Sequence, residues 1–320
     1  MSEILQINNL KKYFPVAGGT LHAVDDVSFT MNYGETLGVV GESGCGKSTL
    51  GKTILRLTNP TAGQIIFEGE DITFIDNKQF TALRPKMQMI FQDPLSSLNP
   101  RMSVSQQIAE PLRIYKVYQN KEDMEKRVLE LMDAVGLARR YADTYPHELD
   151  GGRRQRIGVA RALALNPKLI VCDEPVSALD VLIQAQILNL LQDLQKEHGL
   201  SYMFITHDLS VVKHISDNIC VMYLGQIIEQ CETKELFENT LHPYAKALLS
   251  AIPVPSLKHR REKILLKGEL ASPINPKNAC RFAPRCLYAK EDCFESTPEL
   301  VDVGGNHMVA CHYVKEINGL

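Results

Sequence analysis

Gly41-Glu42-Ser43-Gly44-Cys45-Gly46-Lys47-Ser48-Thr49 has the residue types and spacing of a phosphate cradle. It fits the pattern G-x-x-x-x-G-K-[ST]. The glycines let backbone N–H groups turn inward around phosphate oxygens, and a following helix N-terminus adds partial positive charge. Lys47 would reach the β- and γ-phosphates, and the Ser48 hydroxyl would ligate Mg²⁺. A second group lies far downstream, where Leu169-Ile170-Val171-Cys172-Asp173-Glu174 ends an apolar run in two carboxylates. Asp173 would hold Mg²⁺, directly or through water, and Glu174 would polarise an attacking water. Gln92 could offer its amide to Mg²⁺ or water, and His207 could meet the γ-phosphate or the water. The chemistry these residues share is hydrolysis of Mg-ATP.

Each of these residues needs an element to place it. Thr36–Val40 is apolar and partly β-branched, as a buried parallel strand is, and Leu50–Leu57 reads as a helix. Strand, glycine loop and helix is the setting a phosphate loop requires. Met87–Pro94 reads as a strand running into a loop at Gln92, and Tyr202–His207 as a strand ending in histidine. Residues 4–10 and 23–31 alternate apolar and polar as strands, with Lys12-Tyr13-Phe14-Pro15 between them. An aromatic ahead of a phosphate-loop domain could stack on adenine, although most aromatics pack in a core. Residues 103–149 carry helical spacing, with Gly136 as a stop. Ser177–Asp180 opens a helix running to about Lys196, and Asn218–Leu224 with Gln226–Gln230 forms a hairpin across Gly225.

Composition narrows the class. The 320 residues, 44% hydrophobic and 23% charged, are enough for one large core plus an appendage or for two domains. A net charge of −3 gives no bulk signal for nucleic acid. No apolar run reaches membrane-spanning length. Met1-Ser2-Glu3-Ile4 lacks a basic region and an apolar core, so no signal peptide is expected and the eight cysteines should be reduced or hold metal. Composition shifts after Leu241, with prolines at 243, 253, 255, 273, 276, 284 and 298, placing a boundary near 232–255.

In chain order come a Walker A segment (41–49), Gln92, a signature-like segment (149–153), a Walker B segment (169–174), Ser177-Ala178-Leu179-Asp180 and His207. This order resembles the ABC-transporter ATPases. Residues 241–253 and Cys280-Arg281-Phe282-Ala283-Pro284-Arg285-Cys286 look like the C-terminal region of the peptide and nickel importer ATPases. The whole chain therefore resembles the ATP-binding subunit of oligopeptide/dipeptide ABC importers. The resemblance implies an α/β P-loop NTPase fold with a mixed sheet core, an antiparallel β subdomain and a helical subdomain. It places the ATPase domain at 1–235, its helical part at about 95–165, and a small, irregular, cysteine-containing extension at 236–320. Phe14 or Tyr13 would be the adenine-stacking aromatic, and Asp180 would contribute to the nucleotide site. Two related ATPase subunits would sandwich two ATPs and drive two membrane permease subunits, with an extracytoplasmic binding protein delivering peptide. The chain would sit on the cytoplasmic face of the membrane, held by the permeases. Nickel is the second substrate reading, and a soluble non-transport ABC ATPase is the alternative function.

Asp150 departs from the family pattern. The usual signature is Leu-Ser-Gly-Gly-Gln, whereas this chain has Leu149-Asp150-Gly151-Gly152-Arg153. A carboxylate facing a γ-phosphate at about 4 Å costs about 4 kcal/mol at an effective dielectric near 20. That cost argues for a heterodimer, in which one composite site escapes it. Alternatively, Asp150 caps the helix and pairs with Arg153 or Arg154, whose side chains replace the lost donor.

Cys280, Cys286, Cys293 and Cys311 contain no C-x₂-C pair, and their spacing matches neither zinc nor ferredoxin runs. Four soft thiolates still suffice for one site. In related importer ATPases such a tail is associated with a [4Fe-4S] cluster, which ranks first here, ahead of unligated thiols and then zinc. Cys45, Cys172, Cys220 and Cys231 read as small packing residues.

Overall fold

The structure is a computed structural model that describes residues 2–252, 263–266, 268 and 272–320. Pro253 and Pro255, part of the boundary expected from sequence, lie outside the described residues. The chain opens with β1 (Glu3–Val16), β2 (Gly19–Asn32), β3 (Thr36–Val40), α1 (Lys47–Ile54), β4 (Ala62–Phe67) and β5 (Glu70–Asp71). A mostly helical stretch follows: α2 (Asn77–Leu83), β6 (Met87–Ile90), α3 (Pro94–Ser97), α4 (Val104–Ile114), α5 (Lys121–Ala134), α6 (Gly151–Leu163), β7 (Leu169–Asp173), α7 (Val181–His198) and β8 (Ser201–Thr206). After it come α8 (Leu209–Ile215), β9 (Asn218–Tyr223), β10 (Gln226–Glu232), α9 (Thr233–Glu238) and α10 (Pro243–Ser250). The described chain ends with α11 (Asp292–Glu295), β11 (Val301–Asp302), β12 (Met308–Val309) and α12 (Val314–Asn318).

Two compact units result. One holds Ile75–Phe204 with Asn32–Gly34, and the other holds Glu3–Met31, Glu35–Phe74 and Ile205–Leu320. The second contains an antiparallel sheet in the order β2-β1-β4-β5, with Ile7 opposite Ile65. Its strands bury alternating residues such as Leu5, Ile7, Val27 and Phe29. β1 and β2 run longer than their periodicity predicts, so Lys12–Pro15 belongs to β1 and is not a link between strands. The turn at Gly18, with φ of 91°, closes the hairpin late enough to extend both strands through the aromatic segment.

The phosphate loop hangs from a second set of strands in the same unit. β3 pairs in parallel with β9, β10 returns antiparallel on β9, and β12 adds to β10 with Glu229 opposite Val309. All five residues of β3 are buried, as a strand covered on both faces demands. Val40, Val221, Tyr223, Tyr244 and Phe282 share one core, so the extension packs against the strands that carry the loop.

In the other unit β6 pairs in parallel with β7, Met89 opposite Val171. The helical spacing over 103–149 resolves into α4 and α5 with two short 3₁₀ turns, and Gly136 ends α5 with φ of 64°. α7 begins at Val181 rather than Ser177, because the Asp180 carboxylate accepts from the Ile183 N–H and caps it there. Among the described residues no helix is long and apolar enough to cross a membrane.

Candidate functional site

The phosphate loop follows β3 and ends at Gly46, whose φ of 110° turns the chain into α1. A Cβ at Gly46 would come within 2.1 Å of the Ala23 carbonyl oxygen, so only glycine fits. Lys47, the first residue of α1, is 4% exposed and donates from Nζ to the carbonyls of Gly41 (2.7 Å) and Glu42 (3.0 Å). The ammonium therefore lies inside the loop's concavity, where phosphate oxygens would replace those carbonyls. Ser48 follows on the first turn of α1, and Cys45 is a buried packing thiol in the loop.

The carboxylates are built separately, at the tip of β7. Asp173 and Glu174 are both buried. Glu174 has φ of 47°, a conformation unusual for a side chain with a Cβ, and such strain collects at working sites. The Ser177 hydroxyl donates to the Glu174 carbonyl at 3.1 Å and fixes the turn. Gln92, two residues past β6, donates from Nε2 to Glu174 Oε2 at 3.1 Å. A carboxylate accepts only from the NH₂ end of an amide, so the Gln92 carbonyl oxygen is the end left for a cation. The sequence nominated these two residues independently, and the fold joins them. His207 directly follows β8 and is exposed.

Asp150 is the N-cap of α6. Its Oδ1 accepts from the Arg153 N–H at 2.8 Å, and its Oδ2 accepts from Arg153 Nη1 at 2.6 Å. Of the two readings of this departure, the geometry is that of the cap with a paired charge. The pair neutralises the carboxylate, and the exposed guanidinium also lies over the Tyr141 ring at 4.9 Å. Gly152 is required by packing, since a Cβ there would meet Ile183 of α7 at 2.7 Å.

The ABC transporter family matches residues 24–177, and the family described as oligopeptide/dipeptide transporter, C-terminal region, matches residues 228–293. The oligopeptide transport ATP-binding protein AppF of Bacillus subtilis is 52% identical over 319 residues, covering 97% of each chain. This chain belongs to the ABC ATPases of the oligopeptide/dipeptide transporter type. The dipeptide transport ATP-binding protein DppF of Haemophilus influenzae is 49% identical over 317 residues, with 97% of each chain covered. A dimeric ATP-binding cassette solved in a post-hydrolysis state with ADP and Pi superposes with a TM-score of 0.66 at 30% identity, covering 72% of this chain and 99% of that one. The cassette cbiO1 of Clostridium perfringens, part of the ABC transporter complex cbiONQ, superposes with a TM-score of 0.67 at 30% identity, over 75% of this chain and 92% of that one.

In this ABC ATPase the extension has its own constellation. Cys280, Cys286, Cys293 and Cys311 line one small cavity with His242 and His312. Burial pushes the Cys280 thiol up to about 11 and raises Cys286 and Cys311 as well. Among the described residues no group of three or more His, Cys, Asp or Glu side chains is placed so that it could hold a metal ion. The donor set suits a soft centre, and the cavity gathers all four thiols.

The same segment carries two arginines that the sequence motifs left without a role. Arg285 makes a two-pronged ion pair with Glu42, Nη1 to Oε2 at 2.8 Å and Nη2 to Oε1 at 3.2 Å. Arg281 pairs with Asp25 and donates to the Leu224 carbonyl. Asp25 in turn accepts from the Tyr13 hydroxyl and stands 3.0 Å from His22 Nδ1. Tyr13 stacks on His22 with ring centroids 3.9 Å apart, whereas Phe14 sits under the Lys12 ammonium. No spacing rule could announce these pairs, because their partners lie more than two hundred residues away in the chain.

Proposed function

We propose that this chain binds and hydrolyses ATP to power an ABC importer of oligopeptides or dipeptides. The observation that carries the hydrolytic role is the buried Glu174, held in a left-handed conformation and bonded to Gln92. Glu174 polarises the attacking water, with His207 as the γ-phosphate contact. Lys47 and the amides of residues 41–49 bind the phosphates, and Tyr13 or Phe14 takes the adenine. Ser48, Asp173 and the Gln92 carbonyl oxygen are the ligands offered to Mg²⁺, which supplies charge neutralisation on the phosphates. The Asp150-Gly151-Gly152-Arg153 segment and Asp180 serve a nucleotide held by a second, related ATPase subunit. The working division is an ATPase domain over 1–235, with its helical part at about 95–165, and an extension over 236–320. The permeases would hold the chain at the cytoplasmic membrane face, with a binding protein delivering peptide. Glu174→Gln should leave ATP binding intact while turnover of the assembled transporter falls about 10²-fold or more. Unchanged turnover would remove Glu174 from this role.

The cysteine cavity supports a second reading for the extension, a [4Fe-4S] cluster on Cys280, Cys286, Cys293 and Cys311. Burial disfavours free thiolates there, so cluster binding would expel protons. Protein purified without oxygen should carry iron and sulfide in equal amounts. Four titratable thiols in metal-free protein of unchanged stability would reject the cluster.

A further inference from the structure

We infer that Arg281 and Arg285, on either side of Phe282 in the cysteine-bearing turn, are positioning residues for the nucleotide: Arg285 for the triphosphate through Glu42, Arg281 for the base through Asp25 and Tyr13. The inference rests on the ATP-binding reading above and deepens it.

The turn is rigidly seated. Phe282 is buried among Tyr223, Tyr244 and His242, with Tyr223 and Tyr244 meeting it edge-on at 5.3 and 5.5 Å. The Cys280 N–H donates to the Cys293 carbonyl at 2.9 Å, and the Ala283 N–H to the Cys280 carbonyl at 3.0 Å. Two arginines leaving such an anchor have little freedom. Their side chains are 8% and 11% exposed for Arg281 and Arg285.

Arg285 answers an electrostatic problem. Glu42 lies inside the phosphate loop, and a carboxylate there repels a triphosphate unless it is neutralised. The planar guanidinium takes both carboxylate oxygens and fixes the side chain as well as cancelling its charge. The backbone is held from the same side, since the Glu42 N–H donates to the Tyr244 hydroxyl at 2.9 Å. A loop fixed before the ligand arrives loses less entropy on binding.

Arg281 answers an orientational one. Asp25 carries the Tyr13 hydroxyl on one oxygen and faces both His22 and Arg281 with the other. Against the pull of burial, the hydrogen bonds from Tyr13 and His22 and the Arg281 charge hold Asp25 below the usual carboxylate range. It stays ionised and, bonded to the Tyr13 hydroxyl and facing His22 Nδ1, holds the two rings stacked. Without Arg281, Asp25 loses its counter-ion and the ring pair loses its brace.

The two roles separate by ligand. Full-length protein would be titrated by calorimetry with ATP and, separately, with inorganic tripolyphosphate, both with Mg²⁺. Arg285→Ala should weaken both ligands about tenfold, the scale of one charge-assisted hydrogen bond. Glu42→Gln in the Arg285→Ala background should recover most of that loss, because the carboxylate that repels phosphate is gone. Arg281→Ala should weaken ATP about tenfold and leave tripolyphosphate unchanged. In the assembled transporter each single variant should raise the KM for ATP with kcat held. If Arg285→Ala does not fold, Arg285→Gln takes its place in the same titrations. Wild-type affinity in both arginine variants overturns the inference. So does a loss that Glu42→Gln fails to rescue, or an Arg281→Ala loss equal for both ligands. Failure of the wild-type chain to bind ATP would instead overturn the ATP-binding reading.

Discussion

Glu174 and Cys280 show what a residue's surroundings add to its type. Both are nominated by sequence, one as a carboxylate after an apolar run, the other as one of four clustered thiols. Neither the φ of 47° at Glu174 nor its bond from Gln92 is written in the motif, because both depend on how β6 and β7 pair. At Cys280 the fold supplies burial, which raises the thiol to about 11. The sign is plain: burial penalises the thiolate, so the nucleophile forms only at alkaline pH. In metal-free protein, iodoacetamide labelling of Cys280 should remain slow through pH 9, where an ordinary thiol reacts freely, and accelerate toward pH 11. Peptide mass spectrometry across that range measures it. Labelling already complete at pH 8 would place Cys280 at the surface. Asp150 was ambiguous for a different reason. Its two readings, a bare charge or a capped pair, share one sequence and differ only in where Arg153 points.

Elements were legible wherever period and punctuation agreed. Thr36–Val40 and Leu169–Asp173 are strands because short apolar runs bounded by turns have few other fates. The hairpin at Gly225 was readable for the same reason, with Gly225 at φ of 87°. The start of α7 and the length of β1 were not, since a cap and a tight turn decided them. α10 adds a cap of an unexpected kind: His242 Nδ1 accepts from the Tyr244 N–H at 3.1 Å. Desolvation pushes this buried imidazole down to about 3 against a backbone hydrogen bond to Ala310. A histidine so depressed contributes stability that is complete above its ordinary value near 6.5 and is lost as pH falls toward about 3. Protonation would also fill the lone pair that caps the helix. His242→Asn keeps a capping acceptor and removes the titration, so its unfolding midpoint in urea should fall less than the wild type's between pH 6.5 and 4. Parallel pH dependence in the two proteins would assign the acid loss to other groups.

At the scale of the whole molecule, the extension is tied to the strands that carry the phosphate loop. Glu229 of β10 is fully buried and accepts from the N–H groups of Leu241 and His242, at 2.8 and 2.9 Å, and faces His307 Nε2 at 2.7 Å. His307→Ala would leave that carboxylate short of a partner and should destabilise the protein by about 1–3 kcal/mol, read from the denaturant midpoint. A change within error would make the pair incidental. The tie has a consequence for how the chain is made. Synthesis delivers β1 and β2 early, yet β2 meets Asn275 through Thr20 and Pro273 through His22, while β10 must await β12. The stretch Ile75–Phe204, by contrast, is nearly continuous and can settle as soon as it leaves the ribosome. The emerging polypeptide therefore holds its oldest segments unfinished while a younger one folds between them. A chain cut short before β12 would keep its cradle begun and the edge of β10 open to whatever strand arrives next.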